Sequence, residues 1–199
     1  MAEVHTLHEA FVDELRDIYD GEQQITKALP RMIEAASDDS LRNAFEAHLT
    51  QTEEQIRRLE RVFESLDEAV RGKRCDGMKG ILEEGEAVLE ESGYDETTRD
   101  ACLVAAAQRV EHYEMAVYGT LVSWARAMGH DEAAYLLQTT LEEEKTTDAQ
   151  LSAIAEDGIN QQAALVAHPD DQEYEDDPTS GEPAEDGAPV EEPARNRRQ

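Results

Sequence analysis

Glu111 and Glu114 stand three residues apart in the stretch Glu111-His112-Tyr113-Glu114, inside a run of mostly apolar and small residues from Leu103 to Met128. Helical residues at that spacing share a face. Leu103, Ala107, Val110, Glu114, Val117, Leu121, Trp124 and Met128 form one stripe, with Glu114 at its middle and Glu111 beside it. A carboxylate is almost never fully buried unless it is paired or binds a metal. The spacing therefore predicts either a positive group in the core or an acidic edge turned to water.

The same interruption recurs along the chain. Glu22, His48, Glu144 and Asp148 each break an apolar stripe near the middle of a helical pattern, and Glu53 follows Thr52 one position round. Polar groups in the middle of all four long stripes predict a shared polar centre. Carboxylate oxygens with imidazole nitrogen suit iron and manganese. The candidate metal ligands are Glu22, His48, Glu53, Glu111, Glu114, Glu144 and Asp148, for iron with manganese as the variant. Other roles compete for some of them. Two of Glu142, Glu143 and Glu144 should be solvated, and Asp148 could pair with Lys145. Tyr113 and Tyr118 read as packing residues whose hydroxyls bond nearby carboxylates, and Glu14, Asp17 and Tyr19 rank behind the main set.

Four long helices and one short one must position these groups. The first, from about Leu7 to Ala36, carries the stripe Leu7, Phe11, Leu15, Ile18, Glu22, Ile25, Leu29 and Met32. Pro30 inside it predicts a kink or local distortion. Ser37 or Asp38 caps the second, which runs to about Leu66 through Leu41, Phe45, His48, Thr52, Gln55 or Ile56, Leu59 and Val62. After Arg71-Gly72-Lys73-Arg74 comes a short helix from about Asp76 to Glu91. The third long helix starts near Glu96 and ends at Gly129, a C-cap glycine. The fourth runs from near Asp131 to about Glu156, where Asp157-Gly158 stops it. Tight connections within each pair and a long crossover between pairs predict an all-α, ferritin-like antiparallel four-helix bundle, the crossover carrying the short fifth helix. The expected domains are a bundle over residues 1–158 and an acidic, Pro-containing disordered tail over 159–199.

Composition narrows the partners. The chain has 199 residues, 47 acidic against 18 basic, and a net charge of -29. So acidic a surface disfavours nucleic acid and anionic membranes. Many acids, four lysines (Lys27, Lys73, Lys79 and Lys145) and few aromatics fit adaptation to high salt, as in a halophile, where screening relieves self-repulsion. No run of apolar residues is long enough to span a membrane. The start of the chain lacks a basic region followed by an apolar one, so a cytoplasmic location is expected. Cys75 and Cys102 are too few for a disulfide framework and read as partly buried thiols.

Ordered motifs then carry a resemblance. Asp13-Glu14-Leu15-Arg16-Asp17-Ile18-Tyr19, Glu22-Gln23-Gln24 and Lys27-Ala28-Leu29-Pro30-Arg31-Met32 resemble the opening of the YciE/YciF stress-protein family. So do His48-Leu49, Thr52, Gln55, Arg58-Leu59-Glu60 and Val62-Phe63, while Cys75 and Met78 fit the crossover. Ala106-Ala107-Gln108-Arg109-Val110-Glu111-His112-Tyr113-Glu114 with Tyr118-Gly119 is the strongest match, continued by Thr140-Leu141, Glu143-Glu144-Lys145 and Asp148. The resemblance covers about residues 5–157. It implies a ferritin-like bundle, commonly a homodimer, with a carboxylate-bridged di-metal centre, a link to stress and a ferroxidase label. Ferritin-like sites generally use a Glu from each of two helices and Glu-x-x-His from each of the other two. This chain lacks Glu-x-x-His in its second and fourth long helices, and Glu144-x-x-x-Asp148 stands in the fourth. The expected activity is Fe(II) oxidation by oxygen or peroxide. The alternative is a non-enzymatic, stress-induced helical dimer whose polar centre is a metal-free hydrogen-bonded network containing a protonated carboxylate. Storage of iron in a hollow shell ranks last.

Overall fold

A computed structural model describes residues 6–167, and within them the fold is all-α. Its helices are α1 (Leu7–Ala35), α2 (Asp39–Ser65), α3 (Asp76–Glu90), α4 (Glu96–Met128), α5 (Asp131–Ile154) and α6 (Asn160–Ala167). Of the tail expected over residues 159–199, the part to Ala167 is described and includes the helix α6, and the part from residue 168 onward lies outside the described residues.

Local chemistry sets the helix ends. Thr6 and Glu9 form a capping box at the start of α1. Asp38 caps α2, accepting from the backbone of Ser40 at 2.8 Å and Leu41 at 2.9 Å. Asp95 does the same for α4, which ends on Gly129 in the left-handed conformation, φ 74°. The helix α1 runs unbroken through Pro30. Pro30 is exposed, so solvent can satisfy the carbonyl that its missing N–H leaves free.

Paired contacts establish that neighbouring helices are antiparallel. Arg16 and Tyr19 of α1 reach Glu68, just past α2, and Glu60. Gln55 and Arg58 of α2 reach Glu144, Glu143 and Thr140 of α5. Gln108 of α4 reaches Asp148 and Ser152 of α5. Asp100 of α4 accepts from the backbone of Ser37 and Asp38, beyond the far end of α1, at 2.9 and 2.8 Å. The long crossover, with α3 inside it, leads from the end of α2 to the start of α4 and packs on α1 and α4. This is the connectivity of a ferritin-like bundle.

The end of α5 falls close to expectation: the helix ends at Ile154, and the backbone leaves helical geometry at Gly158, φ 178° and ψ -44°. Beyond this kink the chain turns helical again as α6, Asn160–Ala167, where the tail was expected to begin. Ala155 and Ile159, on either side of Gly158, are both buried in the core and anchor the kinked segment to the bundle.

The core has two apolar parts. Phe11, Leu15, Leu59, Phe63, Leu121 and Leu137 belong to one cluster, and Ile25, Leu41, Phe45, Met78, Leu103 and Leu151 to the other. Between these residues along each long helix fall the buried polar side chains Glu22, His48, Thr52, Gln55, Glu111, Glu114 and Glu144. A polar layer thus crosses the middle of the bundle.

Candidate metal centre

Each long helix contributes to this layer because its apolar stripe keeps the inward angle while the side chain at mid-height changes type. Glu22 comes from α1, His48, Thr52 and Gln55 from α2, Glu111, Glu114 and Tyr118 from α4, and Glu144 from α5. Glu22, Glu114, Glu144, Thr52, Gln55 and Tyr118 are 0 % exposed, Glu111 1 % and His48 5 %. One ligand atom from each of His48, Glu111, Glu114 and Glu144 can be chosen so that all four lie within 4.8 Å of one another. That suits a single ion with one nitrogen and three oxygen ligands. Glu22 lies against Glu114 on the α1 side.

The hydrogen bonds around the group come from neutral donors. The Tyr118 hydroxyl donates to Glu22 Oε1. The Gln55 amide donates to Glu144 Oε1 and, at 3.2 Å, to Glu143 Oε2. Arg58, the cation on this side, is engaged elsewhere. Its guanidinium grips Glu143 at 2.7 and 2.9 Å and Thr140 at 2.7 Å. The Thr52 hydroxyl donates to the His48 carbonyl at 2.9 Å.

What remains is a set of buried atoms without partners. They are Glu22 Oε2, both His48 ring nitrogens, Gln55 Oε1, Glu111 Oε2, both Glu114 oxygens and Glu144 Oε2. His48 Nε2 stands 3.4 Å from Glu111 Oε1 without hydrogen-bond geometry. Orphaned buried oxygens each cost about 1–3 kcal/mol, and more when charged. Divalent cations are the natural complement. Two would balance the four carboxylates Glu22, Glu111, Glu114 and Glu144, and the donor set fits iron or manganese.

Electrostatics agree with the geometry. Burial, then repulsion from Glu144, raises the Glu22 carboxyl to about 8, opposed by the Tyr118 hydrogen bond. Burial raises Glu111 to about 8 as well. Burial and the neighbouring carboxylates push Glu114 and Glu144 well above the usual range. Burial lowers the His48 imidazole to about 4, so at neutral pH it is the uncharged, ligating form. Burial is what shifts them most, and bringing four acids together without a counter-charge adds to it.

Two of the seven sequence-derived candidates fall outside the group. Glu53 is exposed, because the next position along α2 after buried Thr52 turns about 100° away. Asp148 is half-buried at the bundle edge, 3.3 Å from His112 Nε2 and 3.2 Å from Gln108 Nε2. It does not pair with Lys145, which bonds Glu142 instead. Asp148 is still near enough to Glu111 to help raise it. Sequence reasoning left Gln55 and Arg58 without a site role. Gln55 was visible as a polar residue on the α2 stripe, but its reach to Glu144 depends on the pairing of α2 with α5. Asp17, Tyr113 and Cys75 form a separate cluster under α3, with Cys75 Sγ 3.2 Å from the Tyr113 hydroxyl and that hydroxyl donating to Asp17 at 3.4 Å.

A family model described as a domain of unknown function, DUF892, matches residues 6–164. Protein YciF of Escherichia coli strain K12 is 43% identical over 159 residues, spanning 79% of this chain and 95% of that protein. The crystal structure of the E. coli stress protein YciF superposes with a TM-score of 0.76 at 42% identity, covering 79% of this chain and 99% of that one. YcfI from Rhodopseudomonas palustris, described as a candidate structural protein, gives 0.73 at 43% identity over 76% and 96% of the two chains. A Xanthomonas campestris protein at 24% identity shares the fold, with a TM-score of 0.60 over 84% and 99%.

Proposed function

Since the chain belongs to the DUF892 family, together with the stress protein YciF, we propose that its polar layer is a di-metal centre that oxidises Fe(II). The observation that carries this reading is the set of buried, unpartnered oxygen and nitrogen atoms converging from four helices. His48, Glu111, Glu114 and Glu144 would hold one ion, and Glu22, against Glu114, would add to the ligands of a second. Iron bound there would supply one-electron chemistry, two Fe(II) giving two electrons that, with two protons, would convert dioxygen to hydrogen peroxide or hydrogen peroxide to two waters.

The chain's own residues do the rest. The two apolar clusters exclude bulk water from the layer. Tyr118 orients Glu22, and Gln55 orients Glu144 while tying it to the Arg58–Glu143 pair. Protons held on the carboxyls of the metal-free layer must leave as cations enter, so loading releases protons. The partners are then metal ions and oxygen or peroxide, in a homodimer. Among the described residues no helix is long and apolar enough to cross a membrane.

The raised carboxyl groups favour a second reading, a helical stress protein whose layer stays protonated and metal-free. Anaerobic Fe(II) loading followed by rapid mixing with oxygen or peroxide separates the two. Saturable oxidation, abolished in Glu144→Ala, is expected. Oxidation no faster than in buffer, at full helicity, would favour the second reading.

A further inference from the structure

Between α1, α3 and α4 lie two adjoining cavities of about 20 Å³ each, which share Ala28, Met32, Leu82 and Val110 as walls. The outer one is walled in addition by partly exposed Ile81 and Leu89 and by buried Ala106, with Glu86 at its edge. Glu86 pairs with Arg31, both side chains about half exposed, so the charges at the mouth are engaged at the surface. The inner one is walled in addition by Ile25, Leu29 and Ala107 and by His48 and Glu111 of the polar layer. Apart from Glu86, His48 and Glu111, every wall side chain is apolar.

We propose that this passage under α3 admits dioxygen to the His48–Glu111 edge of the centre, making dioxygen rather than peroxide the favoured oxidant. The inference rests on the di-metal reading above and adds the route and the co-substrate. Each cavity has room for about one small molecule, since a water needs roughly 10–15 Å³ of such space. A buried water also needs two to four polar partners, and the walls give none before His48 and Glu111. Hydrogen peroxide has two hydroxyl donors and four lone pairs to strip, so its entry carries the cost of unpaired polar groups. A hydrated divalent cation faces a larger version of the same cost. Dioxygen has no hydrogen bonds to lose. The apolar walls therefore select by polarity, and the cations must reach the carboxylates by another face.

The primary test uses metal-free, methyl-labelled full-length protein under dioxygen pressure, with paramagnetic relaxation read by NMR. The methyl groups of Ile25, Leu29 and Val110 should relax several-fold faster than those of Leu59 and Val62, which are also buried but belong to the other apolar cluster. Equal enhancement in the two sets would overturn the passage, whatever the centre does with metal. The second arm loads Fe(II) into wild type, Ala28→Leu and Leu82→Trp. Each variant should bind the wild-type amount of iron, oxidise it several-fold more slowly with dioxygen, and keep the wild-type rate with hydrogen peroxide. A dioxygen rate unchanged in both folded variants would also overturn the proposal. Absence of iron binding in wild type would instead sink the di-metal reading, leaving the methyl measurement to judge the passage.

Discussion

Replacing Glu114 by glutamine in protein stripped of metal should make the fold more stable at neutral pH. The side chain is 0 % exposed, both its oxygens lack partners, and Glu22, Glu144 and Glu111 surround it. In the unfolded chain its carboxyl titrates at the ordinary value of 4.5; in the fold it is held well above that. Below pH 4.5 the group is protonated in both states. Above it the folded form keeps a proton that the unfolded form has lost, so stability falls as pH rises, by about 1.4 kcal/mol per pH unit per group. Glu22 and Glu111 behave alike up to about 8. Between about pH 5 and pH 7 such a carboxyl costs on the order of 2–3 kcal/mol, against a whole-protein stability of about 5–15 kcal/mol. Glutamine cannot ionise. The stability gap between Glu114→Gln and wild type should therefore widen from about pH 5 to pH 7, by at most about 3 kcal/mol. Urea unfolding followed by circular dichroism, in chelator and molar salt, measures it. A gap that stays constant with pH would refute the reasoning, because it would mean that Glu114 ionises in the fold as it does in water.

Other outcomes follow from contacts away from the layer. Asp100→Ala removes the carboxylate that accepts from Ser37 and Asp38, leaving two backbone donors at the α1–α2 turn. It should cost about 2–4 kcal/mol in urea unfolding, at 1.5–3 kcal/mol per charged hydrogen bond less partial rescue by water. Gly77→Ala would set a methyl 2.8 Å from the Tyr113 hydroxyl and 2.9 Å from its ring, and should cost about 1–3 kcal/mol by the same measurement. With a net charge of -29, the protein should lose helicity or thermal stability when dialysed into salt-free buffer, and full retention of both would remove the case for salt adaptation.

Much of this arrangement was legible in the chain, for reasons that differ by element. Asp38 and Gly129 announced helix ends because a cap needs particular chemistry within a few residues of one place. Glu22, His48, Glu111, Glu114 and Glu144 were legible because helical periodicity fixes the angle of a side chain, and each shares the angle of a buried stripe. That argument loses force one position away, which is why Glu53 was drawn into the set and is exposed in the fold. It is also silent about depth. Asp148 follows Glu144 by one turn on the same stripe, yet there the facing α4 positions are Gln108 and His112, and it bonds them at the edge. The reach of Gln55 to Glu144, and of Arg58 past the site to Glu143, depends on the register between α2 and α5, which no local pattern carries. The break at Gly158 is local chemistry and was legible, whereas α6 beyond it follows a segment held by the tertiary burial of Ala155 and Ile159, which no local pattern announces.

The central claim is that four helices converge to hold metal, and metal content per chain tests it most directly. Fe(II) would be loaded anaerobically at high salt, excess removed, and iron measured by elemental analysis in wild type and Glu114→Ala. The account predicts about two irons per wild-type chain, the stoichiometry of a di-iron bundle, and their loss in the variant at retained helicity. Wild-type protein that keeps no iron above an unrelated acidic control would contradict it.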